Sequence, residues 1–258
     1  MNLTEIKKIL DDKVVKYENK EFIKNDPIFI PHLFTEKQDI EIAGFIAAIF
    51  AWGNRKVIIK KCLDIFSKMG NRPYEYILNL KNADLSDFKY FKHRTIKDTD
   101  IVNIIKFLHH HYSKFASLEQ AFFSDKEDIV IENCLIDFYE YFAKIIEYDK
   151  KTLRHISSPR KLSSCKRMNM YLRWMIRKNS PVDFGLWNRV SPSQLICPLD
   201  IHVGRTARKL NLIERKQNDW LTAIELTKLL RDFDPVDPIK YDFALFGVGV
   251  EQDQISLT

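Results

Sequence analysis

The chain has 258 residues, of which 45% are hydrophobic and 29% charged, and its net charge is +6 at neutral pH. This balance excludes a disordered chain and supplies enough apolar side chains for a sizeable core. Only 7 glycines and 9 prolines argue against an all-β protein, which needs many tight turns. The four cysteines are far apart and form neither a CxxC pair nor an iron–sulfur spacing, so we expect reduced thiols and a cytoplasmic location.

The amino-terminal segment MNLTEIKKILDDK begins an amphipathic helix of mixed charge and lacks the basic and apolar regions of a signal peptide. The longest apolar run, at residues 42–52, is too short to span a bilayer. We therefore expect no membrane anchor.

Apolar residues recur with the helical period along nearly the whole chain, and no alternating strand pattern of useful length is present. The fold class is therefore predicted to be all-α. The predicted helices cover residues 4–18, 36–52, 54–69, 73–80, 97–112, 117–124, 126–147, 164–177, 200–211, 219–232 and 237–248.

The positive charge is concentrated between Lys150 and Lys216, which hold 16 basic and 3 acidic residues, a local charge of +13. Within this block, the predicted helix in SSCKRMNMYLRWMIRK (163–178) has five basic residues, no acidic residue, and a large apolar content. Such a block is typical of a surface that binds a polyanion. The alternative is that these charges point into water in all directions.

Two segments of this block resemble the helix–hairpin–helix DNA glycosylases. PLDIHVGRTARKLNL (198–212) resembles the segment that holds the family's catalytic carboxylate, which matches Asp200. SSCKRMNMYLRWM (163–175) resembles the second helix of the family's hairpin, which carries the catalytic lysine of the bifunctional members and matches Lys166. The resemblance, to the endonuclease III and archaeal 8-oxoguanine glycosylase types, covers about residues 36–250. The whole chain is also similar to an uncharacterised bacterial family of conserved hypothetical proteins.

The resemblance implies two helical subdomains with a cleft between them. We expect a bundle subdomain at about residues 36–147, and a second subdomain, formed by residues 1–35 and 148–258, that carries the hairpin-like motif. The resemblance also implies a set of DNA-binding residues in the hairpin, the basic helix, the loop of the early helix pair and the Asp200 segment. These are Arg160, Lys161, Ser163, Ser164, Arg167, Arg173, Arg177, Gly53, Asn54, Arg55, His202 and Arg205.

The chain departs from this family at the hairpin, which usually contains Leu-Pro-Gly-Val-Gly. Here the segment is PRKLSSC, without glycine, so the hydroxyls of Ser163 and Ser164 are the candidates for contacting a phosphate. The carboxyl-terminal four-cysteine cluster of endonuclease III is also missing. We therefore expect no iron–sulfur cluster or other cofactor. The His109–His111 run does not predict a metal site, because three consecutive rings cannot share one helix face.

Three alternatives stay open at this stage. Asp200 directly precedes a helix, so it also has the position of an N-cap. Lys166 is a nucleophile, a phosphate clamp or a plain surface lysine. Trp187 lies between the two catalytic segments and either belongs to the core or stacks on an extruded base in a base pocket.

The function predicted from these residues is that of a base-excision glycosylase, with or without AP-lyase activity. Its partner would be duplex DNA containing a damaged base, and a monomer is the default oligomeric state. The competing hypotheses are a nucleic-acid-binding protein without catalysis and a helical adaptor for other proteins.

Overall fold

The computed structural model describes residues 2–80, 82–123 and 128–255. These residues are mainly helical, and the sheet among them is an antiparallel pair of two-residue strands, β1 (Lys92–His93) and β2 (Ile96–Lys97). The all-α prediction is therefore confirmed. The α-helices are α1 (Leu3–Tyr17), α2 (Lys20–Ile23), α3 (Lys37–Phe50), α4 (Arg55–Lys68), α5 (Pro73–Leu78), α6 (Asp98–Tyr112), α7 (Glu119–Phe122), α8 (Ile131–Ile145), α9 (Lys150–Leu153), α10 (Lys166–Ile176), α11 (Ile201–Lys209), α12 (Trp220–Phe233) and α13 (Tyr241–Ile255).

Several predicted helix ends differ from the structure. The predicted helix 237–248 begins at Tyr241, because a 3-10 turn at Pro238–Lys240 precedes it, and it continues to Ile255. The predicted helix 126–147 is observed as α8. Residues 124, 126 and 127, at the ends of two predicted helices, lie outside the described residues. None of the helices in the described ranges has the length and apolar content that crossing a bilayer requires.

The chain forms two compact units. One unit comprises Lys24–Ser157, and the other combines the segment up to Ile23 with the segment from Ser158 onward. We call these the central unit and the terminal unit. In the central unit, α3 is buried from Ile40 to Phe50, and its buried Glu41 accepts a hydrogen bond from the Tyr112 hydroxyl (2.8 Å).

In the terminal unit, α13 packs against both α1 and α11. A β-carbon added at Gly247 would lie 2.4 Å from the Tyr17 ring, and one added at Gly249 would lie 3.0 Å from the His202 carbonyl oxygen. The two glycines therefore permit the close approach of α13 to its neighbours. The largest fully buried side chains of this unit are Trp174, Trp187, Trp220, Tyr171 and Tyr241.

Candidate active site at the start of helix α10

Lys166 and Asp200 lie side by side in the terminal unit. Lys166 is the first residue of α10, and its Nζ is 3.8 Å from Oδ2 of Asp200. Their side chains are 26% and 21% exposed, so both are shielded from bulk water but still accessible to it. The Ser164 hydroxyl holds the two segments together by donating to the carbonyl of Leu199 (2.9 Å).

Asp200 uses its two carboxylate oxygens differently. Oδ1 accepts a hydrogen bond from the backbone N–H of Val203 (3.0 Å), as expected for the N-cap of α11. Oδ2 is the oxygen nearest to Lys166. The N-cap hydrogen bond therefore holds the carboxylate rigidly beside the amine.

The hairpin before Lys166 makes its turns without glycine. Leu162 (φ 55°) and Cys165 (φ 51°) both adopt the left-handed conformation. For a residue with a β-carbon, this costs roughly 1 kcal/mol. Neighbouring contacts hold both residues in this conformation: the Leu162 carbonyl accepts a hydrogen bond from the Trp220 N–H, and Cys165 is buried. Lys166 therefore begins its helix from a fixed, strained turn.

The predicted DNA contact of Arg173 is wrong. Its side chain is only 4% exposed, and Nε donates to Oδ1 of Asp183 (3.3 Å) while Nη1 donates to Asp242. The guanidinium also lies over the Phe243 ring, 4.2 Å from its centroid. A DNA phosphate cannot approach a guanidinium that is enclosed in this way.

The predicted DNA contact of Arg177 is wrong for the same reason. Its side chain is also 4% exposed, and it donates to Glu18 (2.6 Å), Asp183 (3.0 Å) and Asp237 (2.8 Å). Burial by itself would lower the pKa of the guanidinium, but the hydrogen bond to Glu18 and the charges of the three carboxylates together raise it. Arg177 therefore stays charged and serves to hold buried carboxylates.

Asp242 is a residue of this region that the sequence analysis did not single out. It lies in the first turn of α13 and is almost completely buried. Burial raises its pKa to about 6, against the lowering effect of Arg173. The charge of Asp200 adds to the rise in the pKa of Asp242, and the charge of Lys166 opposes it. The available signal was an aspartate in an otherwise apolar segment, YDFALFGVG.

Trp187 belongs to the core. Its side chain is fully buried. Its ring contacts the Tyr171 ring in an edge-to-face arrangement, with the ring centroids 5.4 Å apart. A flipped base cannot stack on a ring that is covered on all sides. The predicted base-pocket role of Trp187 therefore finds no exposed surface, and the core alternative describes its position.

The other predicted contacts of the terminal unit differ in their exposure. Arg160, Lys161 and Arg205 are exposed, whereas Ser163 and Ser164 are half-buried. The half-buried residues also include Arg167 and His202. Burial lowers the pKa of Arg167, and the His202 ring packs against Phe246 with centroids 5.7 Å apart.

Gly53, Asn54 and Arg55 belong to the central unit. Gly53 has φ 108°, a conformation that favours glycine, and a β-carbon there would lie 2.7 Å from the Arg94 side chain. The Asn54 side chain accepts from the Val57 N–H (3.3 Å) and caps α4. Arg55 Nε is 3.7 Å from Asp26. Each residue thus has a local structural role in the loop that was predicted to contact DNA.

Within the described ranges, no three His, Cys, Asp or Glu side chains are grouped so that they could hold a metal ion.

Residues 26–251 match the model of a family described as "Protein of unknown function (DUF2400)". The match includes Lys166, Asp200 and Asp242. No curated protein and no solved structure matches the chain.

Proposed function

Because the chain belongs to DUF2400, a family of proteins of unknown function, we propose its activity from its own site: it is a DNA glycosylase that acts on a damaged base flipped out of duplex DNA. The observation that carries this proposal is the 3.8 Å approach of Lys166 Nζ to Asp200 Oδ2, across 34 residues of sequence. An amine nucleophile and a carboxylate held close together are the groups that a glycosylase with lyase activity uses.

The carboxylate has two tasks in this chemistry. As the bond between C1′ and the base breaks, positive charge builds on the sugar, and a fixed carboxylate stabilises it. The same carboxylate can take the proton that the attacking nucleophile loses. Asp200 suits both tasks, because its N-cap hydrogen bond prevents the side chain from rotating away.

The amine determines whether the enzyme is also a lyase. Neutral Lys166 would attack C1′, the N–C1′ bond would form as the bond to the base breaks, and the sugar would open to a Schiff base that permits strand cleavage. If Lys166 stays an ammonium ion, it instead holds a phosphate and Asp200 activates water. We propose the first mechanism: the amine attacks in its neutral form, and Asp200 carries the proton that the amine loses on bond formation to the departing base.

The proposed partner is duplex DNA, bound by a monomer. Arg160, Lys161 and Arg205 are the exposed cations nearest in sequence to the site residues, and they replace Arg173 and Arg177 as candidates for phosphate contacts. A cytoplasmic location is part of the proposal. It is supported by four cysteines without a disulfide among them, since free thiols suit a reducing compartment.

The test is covalent trapping. The protein is incubated with duplexes that contain 8-oxoguanine, an oxidised pyrimidine, uracil or an abasic site, with borohydride present to reduce any Schiff base. We expect an adduct with at least one duplex. Lys166→Gln should abolish it. Lys166→Arg should abolish it as well but retain DNA affinity, because the positive charge is kept and the nucleophile is lost.

Asp200→Asn tests the carboxylate without removing the cap, because an asparagine side chain also accepts from a backbone N–H. We expect base release to slow by about 100-fold or more. Asp219→Asn is the matched control, since Asp219 caps α12 through the Thr222 N–H (2.9 Å), and it should keep the normal rate.

Two outcomes would change the proposal. Base release without an adduct would make Lys166 a phosphate clamp. DNA binding without base release from any duplex would overturn the glycosylase proposal and favour a nucleic-acid-binding protein without catalysis.

A further inference from the structure

Residues 89–94 of the central unit present basic and aromatic side chains on the surface. Phe91 and His93 anchor this segment, because their rings pack on the Phe50 ring with centroids 5.7 and 5.4 Å from it. The remaining side chains of the segment are exposed and belong to Lys89, Tyr90, Lys92 and Arg94. The segment is therefore fixed from the inside and carries its polar and charged groups on the outside.

Two residues of this segment have a backbone conformation that favours glycine. Tyr90 has φ 67° and Arg94 has φ 54°, and this conformation is unfavourable for a residue with a β-carbon. Burial does not offset the cost, because Tyr90 is 82% exposed and Arg94 is exposed as well. Packing therefore does not account for these two side chains, and strained residues of this kind are typical of functional sites.

Arg94 lies over the ring of Trp52, which precedes α4 and is 48% exposed. The guanidinium carbon is 4.9 Å from the centroid of this ring. Gly53 permits the contact, because a β-carbon there would lie 2.7 Å from Nε of Arg94. Lys89 lies over the Tyr90 ring in a similar way, with Nζ 5.1 Å from its centroid. The surface thus holds two exposed aromatic rings, each beside a cation.

The charge around these rings is positive. Residues 89–97 hold four basic and no acidic residues, and Arg154 adds a further cation by donating to the Thr95 carbonyl (2.8 Å). Asp98, the next residue, has a local role, because its carboxylate accepts from the Tyr90 N–H (3.0 Å). Exposed rings beside cations are the combination that binds single-stranded nucleic acid, since any base can stack on a ring while the cations neutralise phosphates.

We infer that this surface binds single-stranded nucleic acid, with an unpaired base stacked on Trp52 and the neighbouring phosphates held by Arg94 and Lys92. An acidic protein segment would also match the cations, but the exposed rings favour a ligand with flat aromatic groups. The inference is independent of the glycosylase proposal. Trapping on duplexes reports on Lys166 in the terminal unit, so either result stands without the other.

Tryptophan fluorescence tests the inference, because a base that stacks on an indole ring quenches its emission. Trp52 is exposed, whereas Trp174, Trp187 and Trp220 are buried. The probe is an oligodeoxythymidine of about 12 nucleotides, which is within the usual length of one single-strand site. We expect it to quench the emission at low salt. A poly-glutamate peptide of the same charge, which has no bases, should leave the emission unchanged.

Two variants assign the signal to this surface. Trp52→Phe should remove the quenching. Arg94→Gly should move the midpoint of the titration to an oligonucleotide concentration about three- to tenfold higher. Its unfolding temperature should be no lower than that of the wild type, because glycine accepts the backbone conformation at this position. A purely structural role of Arg94 would instead lower the unfolding temperature and leave the midpoint unchanged.

Tyr90→Ala should also raise the midpoint, and Tyr148→Ala is its matched control. Tyr148 is an exposed tyrosine of the same unit with φ 55°, outside the 89–94 segment, and its variant should titrate like the wild type. The inference is overturned if the oligonucleotide causes no quenching, or if the two tyrosine variants shift the midpoint equally. Equal quenching by poly-glutamate would also overturn it and would favour an acidic protein as the partner.

Discussion

The two ends of helix α10 hold the same kind of residue in opposite environments. At the amino-terminal end, Lys166 is partly exposed, with Asp200 at 3.8 Å as its close carboxylate. At the carboxyl-terminal end, Arg173 and Arg177 are each 4% exposed and bonded to carboxylates on several segments. A cation that must act on a ligand has to keep access to it, whereas a buried cation is occupied by its partners. The basic composition of this helix therefore does not define one continuous DNA-binding face.

The largest effect that separates the two ends is on stability. Arg177→Met keeps much of the apolar stem but leaves Glu18, Asp183 and Asp237 without the charge that they share. We expect a loss of about 3–5 kcal/mol in the free energy of unfolding at pH 7. Lys166→Met should cost less than about 1 kcal/mol, because Lys166 is partly solvated. Urea denaturation followed by circular dichroism measures both variants, and equal losses would erase the distinction.

The next effect depends on pH and concerns Asp242. Its pKa is raised from 3.8 to about 6 in the folded protein. The folded state therefore binds this proton more tightly than the unfolded state, and the wild type loses stability as the pH rises from about 4 to 6. The amide side chain introduced by Asp242→Asn stays neutral at every pH in this range. The free energy of unfolding of Asp242→Asn minus that of the wild type should therefore increase by about 2 kcal/mol between pH 4 and pH 7, because only the wild type loses stability in this range. A constant difference across this range would contradict the raised pKa.

The smallest effect is on DNA affinity at the exposed end. Arg160→Gln combined with Lys161→Gln removes two exposed cations of the hairpin. We expect about tenfold weaker binding to duplex DNA at low salt, and a salt dependence that is shallower by about two phosphate contacts. Lys8→Gln combined with Lys228→Gln makes the same change in net charge at exposed positions outside the basic block and should bind normally. Similar losses in both double variants would mean that net charge alone governs the affinity.

The sequence was informative where the determinants are local. The helical period predicted α10 and α11, and the aspartate before α11 predicted its N-cap, which the Val203 N–H confirms. These features depend on residues three or four positions apart. The bend before α10 was harder to predict, because Leu162 and Cys165 adopt a left-handed conformation that sequence rules reserve mainly for glycine.

The tertiary structure alone decided which charged and aromatic side chains are enclosed. Arg177 is bonded to Glu18, 159 residues away, and Arg173 to Asp242, 69 residues away. Local sequence patterns contain no information about such partners, so an arginine that meets a buried carboxylate looks like one that faces water. The position of Trp187 in the core could not be predicted for the same reason, because its ring is enclosed by residues that the fold brings together, among them Tyr171. The sequence by itself determined the helices and their caps, and the long-range packing decided that Lys166 stays accessible while Arg173 and Arg177 do not, since burial is set by neighbours distant in the chain.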